Sequence, residues 1–304
     1  MSSSLIAMEP KRFDAYEQAV RDSGGTLSEL SKEVKALIWT DYSRPDLLRQ
    51  TLDANPQLEW VQLPFAGVDA FVDVLERDLV FTCAKASFSQ PVAEHALALT
   101  LALARKIPTR VRAKEWGEKF AFSLFGASVL IVGGGGIAQQ LIDLLTPFAA
   151  HITVVRKHPA EMTGVERVIG MDQLDEALPS ADVVIVACSL TPETDRLFDR
   201  HRIAKMKHSA YLVNIARGRH VVLPDLLTAL DEGLISGAAL DVTEPEPLPD
   251  GHPAFGREDL IITPHTADTK AQVIELFSQR LRENVAAYLS AEPLVGTVSR
   301  ELGY

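Results

Sequence analysis

Short apolar runs, each about the length of a strand, recur along the chain with helix-length segments between them. The alternation opens as LIAM (5–8), FDAYEQAVRDSGG, KALIW (35–39), PDLLRQTLDANP, LEWVQLP (58–64), VDAFVDVLERD and LVFTCA (79–84). It restarts with VLIV (129–132), ITVV (152–155), DVVIVAC (182–188), YLVN (211–214), GAALDV (237–242) and LIIT (260–263). Strand, helix, strand in repetition requires crossover connections, and crossovers place helices on the faces of a parallel sheet. Strands covered on both faces read as continuous Val, Ile and Leu runs, as the later six do. The pattern predicts an α/β protein of two doubly wound parallel-sheet domains, six strands in the second, with a cleft between them.

Residues 92–106, VAEHALALTLALARK, are apolar nearly all round, which predicts a helix buried between layers at the crossing into the second domain. Residues 271–289 are amphipathic and are expected to return to the first domain. The expected division is 1–98 with 270–304 as the substrate domain, around 99–269 as a dinucleotide-binding domain. A formal net charge of −11 over 304 residues argues against nucleic acid or an anionic membrane as partner, because tracking phosphates needs clustered Lys and Arg. The opening MSSSLIAMEP lacks a basic segment followed by a long apolar run, and no stretch approaches the length of a membrane span. Cys83 and Cys188 lie far apart inside apolar stretches, which fits reduced thiols and a cytoplasmic setting. No metal is expected.

The strand VLIV runs straight into Gly133-Gly134-Gly135-Gly136-Ile137-Ala138 and then an apolar-periodic helix. This is G-x-G-x-x-A, the dinucleotide fingerprint: Gly133 for the tight turn, Gly135 for close approach of a pyrophosphate, Ala138 for helix–strand packing. Amides at the helix start, from Gly136 and Ile137, then face the phosphates. A unit selective for NAD carries Asp or Glu about 20 residues later, on the ribose 2′-hydroxyl. Here the second strand ends on Arg156-Lys157. A carboxylate there repels a 2′-phosphate, whereas a guanidinium takes it bidentately and Lys157 adds a second charge. NADP(H) is therefore expected in preference to NAD(H).

Three later segments end strands with reactive residues: NIARG (214–218) with Arg217, LDVTEPEPLP (240–249) with Glu246, and LIITPHTAD (260–268) with His265. Ligands of open α/β sheets bind outside the carboxyl ends of strands, so these three are expected to converge. Reducing a 2-keto acid needs a proton donor of near-neutral pKa beside a hydride carrier, and histidine fits. A carboxylate on its other nitrogen fixes the tautomer, and the planar fork of an arginine serves both the substrate carboxylate and the developing alkoxide.

These segments, in this order, resemble the D-isomer-specific 2-hydroxyacid dehydrogenase family. AGVD (66–69) resembles its carboxylate-binding loop, VAE (92–94) its crossing helix and GGGGIA its nucleotide loop; NIARG, the run Asp241-Val242-Thr243-Glu244-Pro245-Glu246-Pro247 and TPH (263–265) are the strongest matches. The resemblance implies a flavodoxin-like substrate domain beside a Rossmann nucleotide-binding domain, and a homodimer. It implies that Arg217 binds the substrate carboxylate and carbonyl with Ala66 and Gly67, that His265 is the acid–base and that Glu246 orients it. It further implies that Asp241 and the backbone at Ile215 hold the nicotinamide, with Ser189, Leu190 and Thr194 in a cofactor loop.

The sequence departs from the family pattern at Ala138 for the third glycine, Ser189 for a usual proline, Val222-Leu223 for a usual acidic pair, and Asp268 for a small residue near His265. The expected activity is reduction of a small 2-keto acid of the glyoxylate or hydroxypyruvate type to the D-2-hydroxy acid. Two alternatives stand beside it: an NAD-dependent enzyme of a bulkier acid, with Phe65 and Trp116 lining the pocket, and a nucleotide-sensing protein like the family's co-repressor branch. Among the other histidines, His158, His201, His208 and His220 are expected at the surface, while His95 lies on the buried crossing helix.

Overall fold

Among the described residues every pairing between named strands of the two sheets is parallel, as continuous apolar strands joined by helices require. The computed structural model describes residues 5–299, which divide into two units: the described residues up to Phe88 with those from Thr269 on, and Ser89–Asp268.

The first unit contains β1 (Leu5–Glu9), β2 (Thr26–Leu27), β3 (Ala36–Trp39), β4 (Trp60–Gln62) and β5 (Val80–Thr82), in the order β2-β1-β3-β4-β5. This is the flavodoxin-like order. Leu37, Trp39, Val61 and Phe71 form its core on one face. The helix Lys270–Ser290 covers the other. It starts on a capping box in which the Thr269 hydroxyl accepts from the Gln272 amide and the Gln272 side chain accepts from the Thr269 amide. Phe277 packs edge-on against Tyr16, ring centres 5.0 Å apart, and buried Asn284 donates to Gln62 at 2.7 Å.

The second unit contains β6 (Ser128–Val132), β7 (His151–Val155), β8 (Arg167–Ile169), β9 (Val183–Val186), β10 (Tyr211–Asn214), β11 (Gly237–Leu240) and β12 (Leu260–Ile262), ordered β12-β11-β10-β9-β6-β7-β8. Counted from β6, this is the Rossmann order with one further strand. The sheet therefore has seven strands where six were expected. Arg167–Ile169 sits at an edge with one of its three residues buried, so it lacks the apolar run that marks a central strand. The two-residue β2 escapes the pattern for the same reason. Within VDAFVDVLERD (68–78), expected as one helix, the structure forms a 3₁₀ turn at Asp69–Phe71 followed by a single α-helical turn at Val72–Leu75.

The apolar crossing helix runs Ser89–Ala104. Its Leu99 and Leu103 share a core with Val129, Ile131 and Tyr211 of the second sheet. The expected boundary at 98/99 falls inside this helix, whereas the unit takes in the helix whole from Ser89. Among the described residues no helix is long and apolar enough to cross a membrane.

Candidate active site

The point where strand order reverses, between β6 and β9, is where a doubly wound sheet leaves a crevice for ligand. Gly133 follows β6 with φ +121°, and a Cβ there would lie 2.5 Å from the Ala187 carbonyl oxygen just past β9. Only glycine permits that approach. At Gly134 a Cβ would meet the Arg156 side chain at 2.9 Å, so the guanidinium arm lies over the turn. At Gly135 a Cβ would meet no protein atom within 4 Å; the turn is open there. Gly135 then caps the helix Gly136–Leu145, whose first amides have no partner within the helix. Ala138 is fully buried in the core beneath.

Bare amides, open space over Gly135 and a cation over Gly134 fit a dinucleotide phosphate chain. Among the described residues no carboxylate pairs with Arg156. Lys157 is exposed and lies near Glu193, whose carboxyl is held low by the Thr191 hydroxyl and, to a lesser degree, by Lys157.

The loop after β9 is organised by Thr194, which is buried: its hydroxyl donates to the Ser189 carbonyl at 2.7 Å and accepts from the Thr191 amide at 2.8 Å. Thr194 thus shapes the loop on which Ser189 and Leu190 stand. Burial pushes the Cys188 thiol up to about 12, so it is a neutral thiol at physiological pH.

Arg217 follows β10. Buried Asn214 holds its turn, donating to the Arg217 carbonyl at 2.8 Å and accepting from the Ala216 amide at 3.1 Å. The Arg217 Nη1 donates to the Ala216 carbonyl at 2.8 Å, and Ile215 is buried beside it. Gly218 abuts the Thr243 main chain so closely that a Cβ would overlap its carbonyl. Gly218→Ala is expected to cost about 2–3 kcal/mol through overpacking against backbone, read as a lowered denaturation midpoint. An unchanged midpoint would mean the turn shifts freely.

His265 is the one non-glycine residue among these site residues with a positive φ, +51°. Its Nδ1 lies 2.6 Å from Glu246 Oε1, both side chains about half exposed at 50% and 42%. The strained turn is held from beneath by Asp241, which is 2% exposed. Asp241 Oδ1 accepts from the Thr263 hydroxyl at 2.6 Å, from the Thr266 amide at 3.0 Å and from His95 Nε2 at 3.2 Å; Oδ2 accepts from the Ala267 amide at 3.2 Å. The Asp241 carbonyl accepts from the His265 amide at 2.8 Å. Burial alone would raise the Asp241 carboxyl, but the hydrogen bonds from His95, Thr263 and Thr266 outweigh it and hold the group below its ordinary value. It is therefore a carboxylate at neutral pH, spent largely on the turn that carries His265. Asp268 is pushed the other way, chiefly by burial, against the pull of His265.

The structure thus brings Arg217, Asp241, Glu246 and His265 to the carboxyl edge of one sheet, at the ends of β10, β11 and β12. Ala66 and Gly67 lie in the first unit, after β4, with Ala66 exposed. Trp116, weighed as a pocket residue, is 91% exposed. His220, expected at the surface, is fully buried. It stands on a turn between two strand-end loops, and neither its neighbours Arg219 and Val221 nor any spacing signals that. The support given by His95 and Thr263 was likewise unread.

A model of the D-isomer specific 2-hydroxyacid dehydrogenase NAD binding domain matches residues 97–267. The chain belongs to that family. It is an NAD(P)-dependent oxidoreductase, which sets aside the purely nucleotide-sensing alternative. Among similar dehydrogenases, the glyoxylate reductase of Pyrococcus furiosus is 31% identical over 293 residues, 91% of this chain and 85% of its own. The hydroxyphenylpyruvate reductase of Plectranthus scutellarioides is 29% identical over 309 residues, 98% of this chain and 96% of its own. A crystal structure of a D-isomer specific 2-hydroxyacid dehydrogenase from Xanthobacter autotrophicus Py2, in complex with NADPH and MES, matches with a TM-score of 0.88 at 26% identity over 100% of each chain.

Proposed function

We propose that this dehydrogenase is an NADP(H)-dependent reductase of small 2-keto acids of the glyoxylate and hydroxypyruvate type, yielding the D-2-hydroxy acid. The observation that carries the reading is the Glu246–His265 contact of 2.6 Å on the sheet edge that also bears Arg217. Gly133, Gly135, Gly136 and Ile137 would hold the pyrophosphate, Arg156 and Lys157 the 2′-phosphate, and Ser189, Leu190, Thr194, Ile215 and Asp241 the remainder. When bound, the reduced nicotinamide supplies hydride to the carbonyl carbon.

Glu246 takes the Nδ1 proton of His265 in a hydrogen bond, which leaves Nε2 to give a proton to the carbonyl oxygen as it becomes the hydroxyl. Arg217 neutralises the substrate carboxylate and the charge growing on that oxygen. The glyoxylate reductase relative supports a small acid, and the NADPH-bound structure supports the phosphorylated cofactor. The reading includes a cytoplasmic homodimer; exposed Val111, Trp116 and Phe125 are apolar surface that a second copy would cover.

The test is titration with NADPH and NADH, followed by glyoxylate, hydroxypyruvate and phenylpyruvate with absorbance as the readout. Tighter NADPH binding and turnover of a small acid support the proposal. The hydroxyphenylpyruvate reductase relative favours a second reading, a bulkier aromatic acid, and phenylpyruvate as the best substrate would establish it. Arg156→Asp is expected to lower the NADPH-over-NADH preference by about 10- to 100-fold, the loss of charge-assisted hydrogen bonds worth about 1.5–3 kcal/mol. An unchanged ratio of the two dissociation constants would remove Arg156 from cofactor choice.

A further inference from the structure

His220 closes the 3₁₀ turn Gly218–His220 and is wholly inside the second unit, with no accessible surface. Its Nδ1 lies 3.2 Å from the Arg217 amide and 3.1 Å from the Arg217 carbonyl. Its Nε2 lies 3.3 Å from the Ser189 carbonyl and 3.5 Å from Cys188 Sγ. The Arg217 carbonyl is already served by Asn214, so the tautomer that satisfies every group accepts from the Arg217 amide at Nδ1 and donates from Nε2–H to Ser189. Burial, the largest influence, lowers the imidazole's pKa and favours this neutral form. The Ser189 carbonyl thereby receives two donors, His220 and Thr194. One side chain spans the turn that presents Arg217 and the loop after β9.

We propose that His220 is a positioning residue that ties the Arg217 main chain to the loop at Ser189, setting the spacing between the substrate-anion group and the nucleotide loop. The assignment rests on the function proposed above. It differs from ordinary core packing because each ring nitrogen serves a different ligand loop, and the two links can be cut separately. An asparagine places its Oδ1 where Nδ1 lies and keeps the acceptor for Arg217 while losing the donor to Ser189. A glutamine reaches one atom further, so its amide can donate to Ser189 while the acceptor that His220 offers the Arg217 amide is lost. A leucine loses both.

The experiment compares the full-length protein with His220→Asn, His220→Gln and His220→Leu. The readouts are the NADPH dissociation constant by nucleotide fluorescence, KM for glyoxylate, kcat and Tm. His220→Asn is expected to weaken NADPH about tenfold with glyoxylate KM little changed. His220→Gln is expected to show the reverse, raising glyoxylate KM about tenfold with NADPH affinity little changed. His220→Leu should weaken both. The proposal is overturned if Asn and Gln variants move both constants together in step with a fall in Tm, which is what simple core damage does, or if neither constant moves. If the unmodified protein turns over none of the 2-keto acids, the functional reading fails and takes this assignment with it; active protein with an uncrossed pattern overturns His220 alone.

Discussion

His265→Ala is expected to lower turnover of glyoxylate by about 10²–10⁴-fold, the range for losing a positioned general acid, while leaving NADPH affinity nearly intact. The separation follows from where the residue stands. His265 follows β12 at the outer end of the sheet, while the glycine turn, Arg156 and the Ser189 loop lie around β6, β7 and β9. Among the described residues no hydrogen bond of the imidazole reaches that turn: its Nδ1 goes to Glu246, and the backbone amide of His265 goes to Asp241 and Thr263. Alanine also relieves little, because the left-handed φ of +51° remains and is imposed by the four groups that converge on Asp241. Steady-state kinetics and nucleotide fluorescence together decide the matter. Near-normal turnover would remove His265 from the chemistry, and a matching collapse in NADPH binding would make it a structural residue.

Arg217→Lys is expected to lower kcat/KM for glyoxylate by about 10²–10³-fold, comparable to removing one preorganised donor at a developing oxyanion, although the charge is kept. A guanidinium offers two parallel N–H groups to the carboxylate and can still address the neighbouring carbonyl oxygen; an ammonium is a point charge on a flexible stem. The Arg217 fork is also held in place, since Nη1 donates to the Ala216 carbonyl at 2.8 Å. Lysine at this position would have to choose between that anchor and the substrate. Retention of wild-type kcat/KM would mean that charge alone is needed there, and a fall confined to KM would assign Arg217 to binding and not to the transition state.

Much of the fold was open to reading because it is written locally. A run such as VLIV followed by four glycines and an apolar-periodic segment can only be strand, tight turn and helix, whatever surrounds it. NIARG, LDVTEPEP and TPH each combine a strand end with a polar residue, and the rule that ligands sit at the carboxyl edge of such sheets is enough to group Arg217, Glu246 and His265. The edge strands Thr26–Leu27 and Arg167–Ile169 were missed because half-exposed edges do not need the apolar run by which a buried strand is known.

The sequence by itself determined the two parallel sheets, the glycine turn, the paired cations after the second strand of the larger sheet and the strand ends after which Arg217 and His265 stand. Those features depend on residues within a few positions of one another, whose geometry backbone sterics and side-chain periodicity dictate. Tertiary structure alone decided what holds the reactive groups still. His95 reaches Thr263 across 168 positions, and His220 reaches Ser189 across 31 and so joins that loop to Arg217. Ser189 and His220 meet because β9 and β10 are neighbours in the sheet, and His95 meets Thr263 because the crossing helix packs on the face of that same sheet. That arrangement comes from packing both faces of a twisted sheet, so no local window of sequence contains it.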